Sequence, residues 1–130
     1  MPPQKPMVLV VDDTDSVRKL LVADLAQDGN IRVEQASTGA EALEKAASPD
    51  CAVVILDMML PDTDGLQFID QLKKRRADPP SIIAITGASQ TLVSDAMIEG
   101  SHRGLVSAVF RKPIDRAKLR ETVLFCANAT

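Results

Sequence analysis

The central part of the chain contains a short apolar run that ends on a single carboxylate. Residues 53–56 are four apolar residues, three of them β-branched, and Asp57 follows directly. Such a run is typical of a strand buried on both faces, as in parallel sheets covered by helices. Pro61 and Gly65 follow closely and favour a turn. Because ligands of open parallel sheets bind beyond the carboxyl ends of the strands, Asp57 is predicted to lie at a functional site.

Apolar runs alternate with helical patterns along the whole chain. We predict strands over residues 7–11, 31–36, 53–56, 81–85 and 106–110. We predict helices after a cap at Thr14 or Asp15, from Thr38 to residue 47, over residues 65–76, from near Thr91, and after a cap at Asp115. This alternation indicates an α/β fold, a doubly wound (βα)5 flavodoxin-like three-layer sandwich with a parallel sheet.

Apolar spacing within the predicted helices indicates which faces are buried. The first helix carries Val17, Leu20, Leu21 and Leu25 at helical spacing, and the third is expected to turn Phe68, Ile69 and Leu72 inward. The length of 130 residues suits one domain. We expect a flexible lead over residues 1–6, a folded domain over 7–127 and a tail over 128–130.

Four of the five predicted strands end on residues capable of chemistry. These residues are Asp12 and Asp13, Asp57, Thr86 and Lys112. In the flavodoxin-like strand order 2-1-3-4-5, the first and third strands are neighbours at the switch point. That order predicts that the three carboxylates lie within a few ångströms of one another, flanked by the threonine and the lysine.

Three carboxylates this close repel one another unless a cation joins them. An all-oxygen donor set that leaves room for water suits Mg²⁺ better than zinc. One carboxylate beside a divalent cation, a lysine and a hydroxyl is a candidate phosphoryl acceptor, because the cations would neutralise the phosphoryl oxygens and the hydroxyl would donate a hydrogen bond.

The same motifs resemble those of a known family. The chain contains Asp12-Asp13, the run Leu56-Asp57-Met58-Met59-Leu60-Pro61-Asp62-Thr63-Asp64-Gly65, Ile85-Thr86-Gly87 and Lys112-Pro113. In this order they resemble the receiver domain of bacterial two-component response regulators, over nearly the whole chain.

The resemblance implies roles for the acidic residues. Asp57 would accept a phosphoryl group from a phosphohistidine on a sensor histidine kinase or a histidine phosphotransfer protein. Asp13, Asp57 and the backbone carbonyl of Met59 would hold Mg²⁺, with Asp12 acting mainly through water.

The resemblance also implies roles for the other strand ends. Lys112 would pair with the phosphoryl group, and Thr86 would move toward it. The Lys112–Pro113 bond is expected to be cis. The output would be a conformational change in the last two helices and the last strand, around residues 97–124, recognised by a downstream protein target.

The sequence departs from the family pattern in the segment between Thr86 and Lys112. An aromatic residue usually lies three positions before the lysine, where this chain has Val109, and Phe110 is expected on the opposite face of its strand. The segment is also longer than usual, and we place the extra length at residues 100–104. We therefore expect phosphorylation to change the conformation of residues 100–104 rather than the rotamer of an aromatic side chain.

Two further positions bear on how long a phosphoryl group would last. By resemblance, Met59 and Ala88 flank the approach of the hydrolytic water. Neither side chain has a group that could hold a water molecule, so we expect a long-lived phosphoryl group.

Composition excludes several other functions. A net charge of −3 and the absence of Trp and Tyr argue against direct nucleic-acid binding by this chain. No apolar segment approaches the ~20 residues of a membrane span, and a cytoplasmic protein is expected.

Cys51 and Cys126 lack metal-binding spacing and are expected to be buried, reduced thiols. We interpret His102 as a solvated loop residue and the cations at 73–76 as favouring a helix dipole.

Alternative interpretations remain open at the level of sequence. The runner-up is a flavodoxin-like cofactor-binding module, which would need a phosphate-binding loop and aromatic residues. Others are a Mg²⁺-dependent phosphatase and a degenerate receiver that only binds partners. A receiver would be no enzyme beyond its own aspartyl phosphorylation and dephosphorylation. We expect a single-domain regulator; the alternative is a receiver trimmed from a larger transcriptional regulator.

Overall fold

Five strands and four helices make up the part of the chain that the computed structural model describes, residues 5–87 and 105–128. In chain order they are β1 Met7–Val11, α1 Asp15–Ala26, β2 Arg32–Ala36, α2 Gly39–Ala46, β3 Cys51–Asp57, α3 Gly65–Arg75, β4 Ser81–Thr86, β5 Val106–Arg111 and α4 Arg116–Asn128. The strand predictions and four of the five helix predictions are confirmed to within a few residues. The helix predicted near Thr91, and the loop with His102, lie outside the described residues.

The strands form one parallel sheet in the predicted order β2-β1-β3-β4-β5. Val11 at the end of β1 pairs with Leu56 of β3, and Asp57 pairs with Ile85 of β4. Chain order reverses between β1 and β3, which is the topological switch point of such sheets. The residues that follow these two strands are therefore brought together at one edge.

The sheet is covered by helices on both faces, which explains the apolar run in β3. Val54 and Leu56 belong to a core cluster with side chains of α2 and α3, such as Phe68. Val53 and Ile55 belong to a second cluster with α1 and α4. Successive strand residues point to opposite faces, so a central strand between two helical layers must be apolar at every position.

The inward face of α3 is confirmed, whereas that of α1 differs from the prediction. Phe68, Ile69 and Leu72 are buried. In α1 the buried residues are Arg18, Leu21 and Leu25, while 44% of Leu20 is exposed. The buried stripe of α1 therefore includes an arginine in addition to its apolar residues.

The loop between β3 and α3 is fastened to the start of α2. The Asp62 carboxylate accepts hydrogen bonds from the backbone N–H groups of Gly39, at 2.8 Å, and Ala40, at 3.0 Å. A side chain at position 39 would collide with Thr63, because a Cβ there would lie 2.3 Å from its Cγ2 atom. Asp62 thus satisfies free donors at a helix N-terminus from a distant part of the chain.

Both cysteines are buried free thiols, as predicted. Burial raises the pKa of the Cys51 thiol to about 12, so this side chain stays protonated at neutral pH.

Replacing Asp62 by Ala is expected to lower the melting temperature at neutral pH, because two helix-terminal N–H groups lose their acceptor. These N–H groups hold the pKa of Asp62 below its ordinary value of 3.8. A lowered folded-state pKa means that the stabilisation is present above 3.8 and is lost as the pH falls through the folded value. The difference between wild type and Asp62→Ala should therefore shrink in strong acid.

Thermal melts of both proteins between neutral and strongly acidic pH check this expectation. Glu44→Ala is the control, because Glu44 is an exposed residue of α2 away from this contact. Equal melting temperatures for Asp62→Ala and Glu44→Ala at neutral pH would contradict the role of Asp62.

Candidate functional site

Three carboxylates meet at the switch point between β1 and β3. Asp12 and Asp13 follow β1, and Asp57 is the last residue of β3. One oxygen of each lies within 4.8 Å of the others. Asp12 and Asp57 are buried, whereas Asp13 is exposed. The predicted acidic cluster is therefore present, with one wall open to solvent.

Backbone groups and one lysine orient the two buried carboxylates. The Oδ1 atom of Asp12 accepts from the Thr14 N–H at 2.8 Å, and that of Asp57 from the Met59 N–H at 3.0 Å. The Oδ2 atoms lie near the Nζ atom of Lys112, at 3.7 Å from Asp12 and 3.3 Å from Asp57. Lys112 thus bridges the carboxylates that end β1 and β3.

Burial dominates the electrostatics of Asp57. Removal from water raises the pKa of its carboxyl, and the charge of Asp12 acts in the same direction. The Met59 N–H and the Lys112 ammonium oppose this rise without cancelling it. Burial works to lower the pKa of Lys112, but the charges of Asp57 and Asp12 overcome it and raise the pKa. The imbalance of charge follows from the number of groups, because three carboxylates share one lysine ammonium.

Thr86 lies beside the cluster, but its hydroxyl is engaged with β5. The side chain is fully buried, and its Oγ1 atom donates to the carbonyl of Phe110 at 3.4 Å. The Thr86 carbonyl accepts from the Lys112 N–H at 2.9 Å. The Lys112–Pro113 peptide bond is cis, as expected.

The predicted arrangement of β5 is confirmed. Val109 packs on the core cluster shared with α2 and α3, while Phe110 packs on the cluster shared with α1 and α4. Val109 and Phe110 therefore occupy opposite faces, and the usual aromatic position holds a small aliphatic side chain. Ala88 and the long connection at 100–104 lie outside the described residues.

The donor chemistry of the cluster fits a hard divalent cation. All three side chains offer oxygen, the exposed Asp13 leaves an approach for a hydrated ion, and the charge of the carboxylates exceeds that of Lys112. Asp12, Asp13, Asp57 and Lys112 are thus brought together as predicted.

Sequence reasoning missed one residue beside this cluster. Arg18 is buried in α1, and its Nη1 atom donates to the backbone carbonyl of Asp12 at 2.9 Å. An arginine three and seven residues before Leu21 and Leu25, on the stripe that faces the sheet, was the available signal.

A five-stranded parallel sheet with an acidic pocket at its switch point places the protein in the flavodoxin-like class of α/β proteins. The sequence matches the family model of the response regulator receiver domain over residues 8–124. The chain therefore belongs to the response regulator receiver domain family. Receiver domains are in general signalling modules that bind Mg²⁺ at an acidic pocket and interact with histidine kinases and downstream effectors.

Similar proteins agree with this assignment. The transcriptional regulatory protein SrrA of Staphylococcus aureus is 35% identical over 80 residues, which are 62% of this chain and 33% of SrrA. A response regulator receiver protein from Pseudomonas putida has a TM-score of 0.79 and 28% identity, covering 95% of this chain and 98% of that one. A CheY-like receiver domain protein from Methanospirillum hungatei JF-1 has a TM-score of 0.81 and 23% identity, covering 96% and 95%.

Among the described residues, no helix has the length and apolar character needed to cross a membrane.

The Asp13→Asn variant is expected to be more stable than wild type when divalent cations are absent. It removes one of three neighbouring negative charges and leaves the shape of the side chain unchanged. Because Asp13 is exposed, the gain should stay within the ~1 kcal/mol typical of surface charge pairs. Urea unfolding in the presence of a chelator measures the difference.

Glu44→Gln serves as the control, because it makes the same change of net charge at an exposed position of α2. If both variants shift the unfolding midpoint equally, repulsion within the acidic cluster does not limit stability.

Proposed function

We propose that Asp57 is the phosphoacceptor of this receiver domain and that a phosphohistidine of a sensor histidine kinase or a histidine phosphotransfer protein is the donor. The observation that carries the proposal is the buried Asp57 carboxylate at the end of the central strand, with the Lys112 ammonium 3.3 Å from its Oδ2 atom. A carboxylate that is partly desolvated and faces a fixed cation is suited to act as a nucleophile toward phosphorus.

The chemical step is a transfer between two nucleophiles. A carboxylate oxygen of Asp57 forms a bond to phosphorus while the phosphorus–nitrogen bond of the donor breaks. The bonding electrons return to the imidazole nitrogen, which can take up a proton. Lys112 balances charge on the phosphoryl oxygens, and the Met59 N–H holds the other side of the Asp57 carboxylate.

Asp13, Asp57 and the backbone carbonyl of Met59 would hold Mg²⁺, with Asp12 contributing through water. When bound, the ion supplies positive charge that neutralises the phosphoryl oxygens. The three carboxylates within 4.8 Å support this assignment, since they lack sufficient compensating charge of their own.

Phosphorylation would then be transmitted through Thr86 and β5. The Thr86 hydroxyl would exchange its bond to the Phe110 carbonyl for one to the phosphoryl group. Losing this bond would free β5 to shift, and a downstream protein would recognise the change around residues 97–124, of which 97–104 lie outside the described residues. A receiver within a longer transcriptional regulator is the second candidate, supported by the similarity to part of SrrA.

Incubation with acetyl phosphate and Mg²⁺ is expected to add one phosphoryl group, and Asp57→Asn should abolish the addition. Intact-mass spectrometry measures both results. Glu44→Gln is the control, because it neutralises an exposed carboxylate of α2 that is not part of the cluster. Persistent labelling of Asp57→Asn would overturn the assignment of the phosphoacceptor.

Phospho-Asp57 is expected to be long-lived, because the Met59 side chain is 58% exposed beside the site and can neither donate nor accept a hydrogen bond with water effectively. Met59→Asn should accelerate hydrolysis by up to ~10²-fold, the lower end of the effect of a positioned polar group. Loss of the added mass over time provides the rate. Met59→Leu is the control, and equal rates for the Asn and Leu variants would contradict the explanation.

A further inference from the structure

Four polar or charged residues in the part of the chain that the structure describes are buried when backbone and side chain are taken together: Asp12, Arg18, Asp57 and Thr86. Three of them line the proposed phosphorylation site. Arg18 is the fourth, and none of the roles assigned above accounts for it. A guanidinium is costly to bury, so its partners indicate what it stabilises.

The Arg18 guanidinium connects three parts of the fold. Its Nη1 atom donates to the carbonyl of Asp12 and its Nε atom to Oε1 of Gln35, both at 2.9 Å. Its Nη2 atom pairs with the carboxylate of Asp15 at 2.5 Å. The planar fork thus joins the first turn of α1, the strand β2 and the loop that carries two of the three acidic side chains.

The bond to the Asp12 carbonyl has a particular consequence for Asp13. This carbonyl belongs to the peptide unit between Asp12 and Asp13, and that unit is planar. Fixing its oxygen therefore restricts where the Cα atom of Asp13 lies. The Asp13 side chain is exposed, so it gains little orientation from packing, and its direction depends on the backbone.

We infer that Arg18 is a positioning residue: by holding the Asp12–Asp13 peptide, it fixes the Asp13 carboxylate where it can share a divalent cation with Asp57. The inference rests on the proposed function, because it concerns the same site. Residues that orient metal ligands in this indirect way typically contribute 10–100-fold to metal affinity.

Arg76 offers a matched control at the opposite end of the sheet. Its side chain is 7% exposed, compared with 10% for Arg18. Its Nη1 atom donates to the carbonyls of Ala46, Ser48 and Cys51 at 3.0, 3.0 and 2.9 Å. Arg76 therefore has the same structural task of satisfying backbone carbonyls, but at a place remote from the carboxylates.

The test compares Arg18→Lys with Arg76→Lys. Lysine keeps the charge but cannot reproduce the planar fork. Both variants should melt at lower temperature than wild type. Only Arg18→Lys should weaken Mg²⁺ binding, with the dissociation constant from isothermal titration calorimetry rising about 10–100-fold. Equal Mg²⁺ affinity for Arg18→Lys and wild type, or equal weakening in Arg76→Lys, would overturn the inference.

Gln35→Met keeps the experiment decisive if Arg18→Lys fails to fold. It removes the acceptor of the Arg18 Nε atom and leaves the arginine in place. A loss of Mg²⁺ affinity relative to wild type that Arg76→Lys does not show supports the inference, and unchanged affinity contradicts it.

Wild-type protein separates this inference from the proposed function. If it binds Mg²⁺ but acetyl phosphate does not label Asp57, the proposed function fails, while the effect of Arg18 on the metal site is still decided by the same titrations. If wild type does not bind Mg²⁺, the positioning role is refuted.

Discussion

Repulsion among three carboxylates at the switch point is the constraint on which the rest of the site depends. The sheet order makes β1 and β3 neighbours, so the acids that follow them cannot avoid one another. Two of these carboxylates, Asp12 and Asp57, are buried. Among the described residues, Lys112 is the one cationic side chain whose nitrogen lies within 4 Å of a carboxylate oxygen of each. A fold built only for stability would not place charges in this way, whereas a site that must bind a cation and a phosphoryl group requires it.

The surrounding structure holds this unfavourable arrangement in place. Backbone N–H groups of Thr14 and Met59 fix the buried carboxylates, and Arg18 holds the peptide between Asp12 and Asp13. The loop after β3 is fastened to α2 through Asp62. Two apolar clusters cover the two faces of the sheet below these contacts. The site is thus preorganised by hydrogen bonds from several elements, which lowers the cost of ordering it when a ligand arrives.

The sequence predicted the sheet and the acidic cluster because both follow from local patterns. A fully apolar strand such as residues 53–56 requires helices on both faces, and the strand order of flavodoxin-like folds then brings Asp12, Asp13 and Asp57 together. Local sequence also predicts that Thr38 and Asp115 cap the N-termini of two helices. Both side chains accept a hydrogen bond from the backbone N–H group three residues later.

Arg18 and Asp62 could not be predicted in the same way. Apolar periodicity counts every arginine as solvent-facing, and it predicts a buried stripe of α1 that includes Leu20, which is exposed. Asp62 contacts backbone groups 22 and 23 residues away, and only the folded loop brings them within reach. Both residues donate to or accept from backbone groups near the site, and contacts of that kind leave no pattern in the identity of the residue that supplies the backbone group.

A crystal structure of the protein grown with Mg²⁺ tests the central claim most directly. The account predicts an ion with metal–oxygen distances of ~2.0–2.1 Å, bound by carboxylate oxygens of Asp13 and Asp57 next to the Lys112 ammonium. A structure at saturating Mg²⁺ with no ion between these carboxylates would contradict it, as would an ion bound only elsewhere on the molecule.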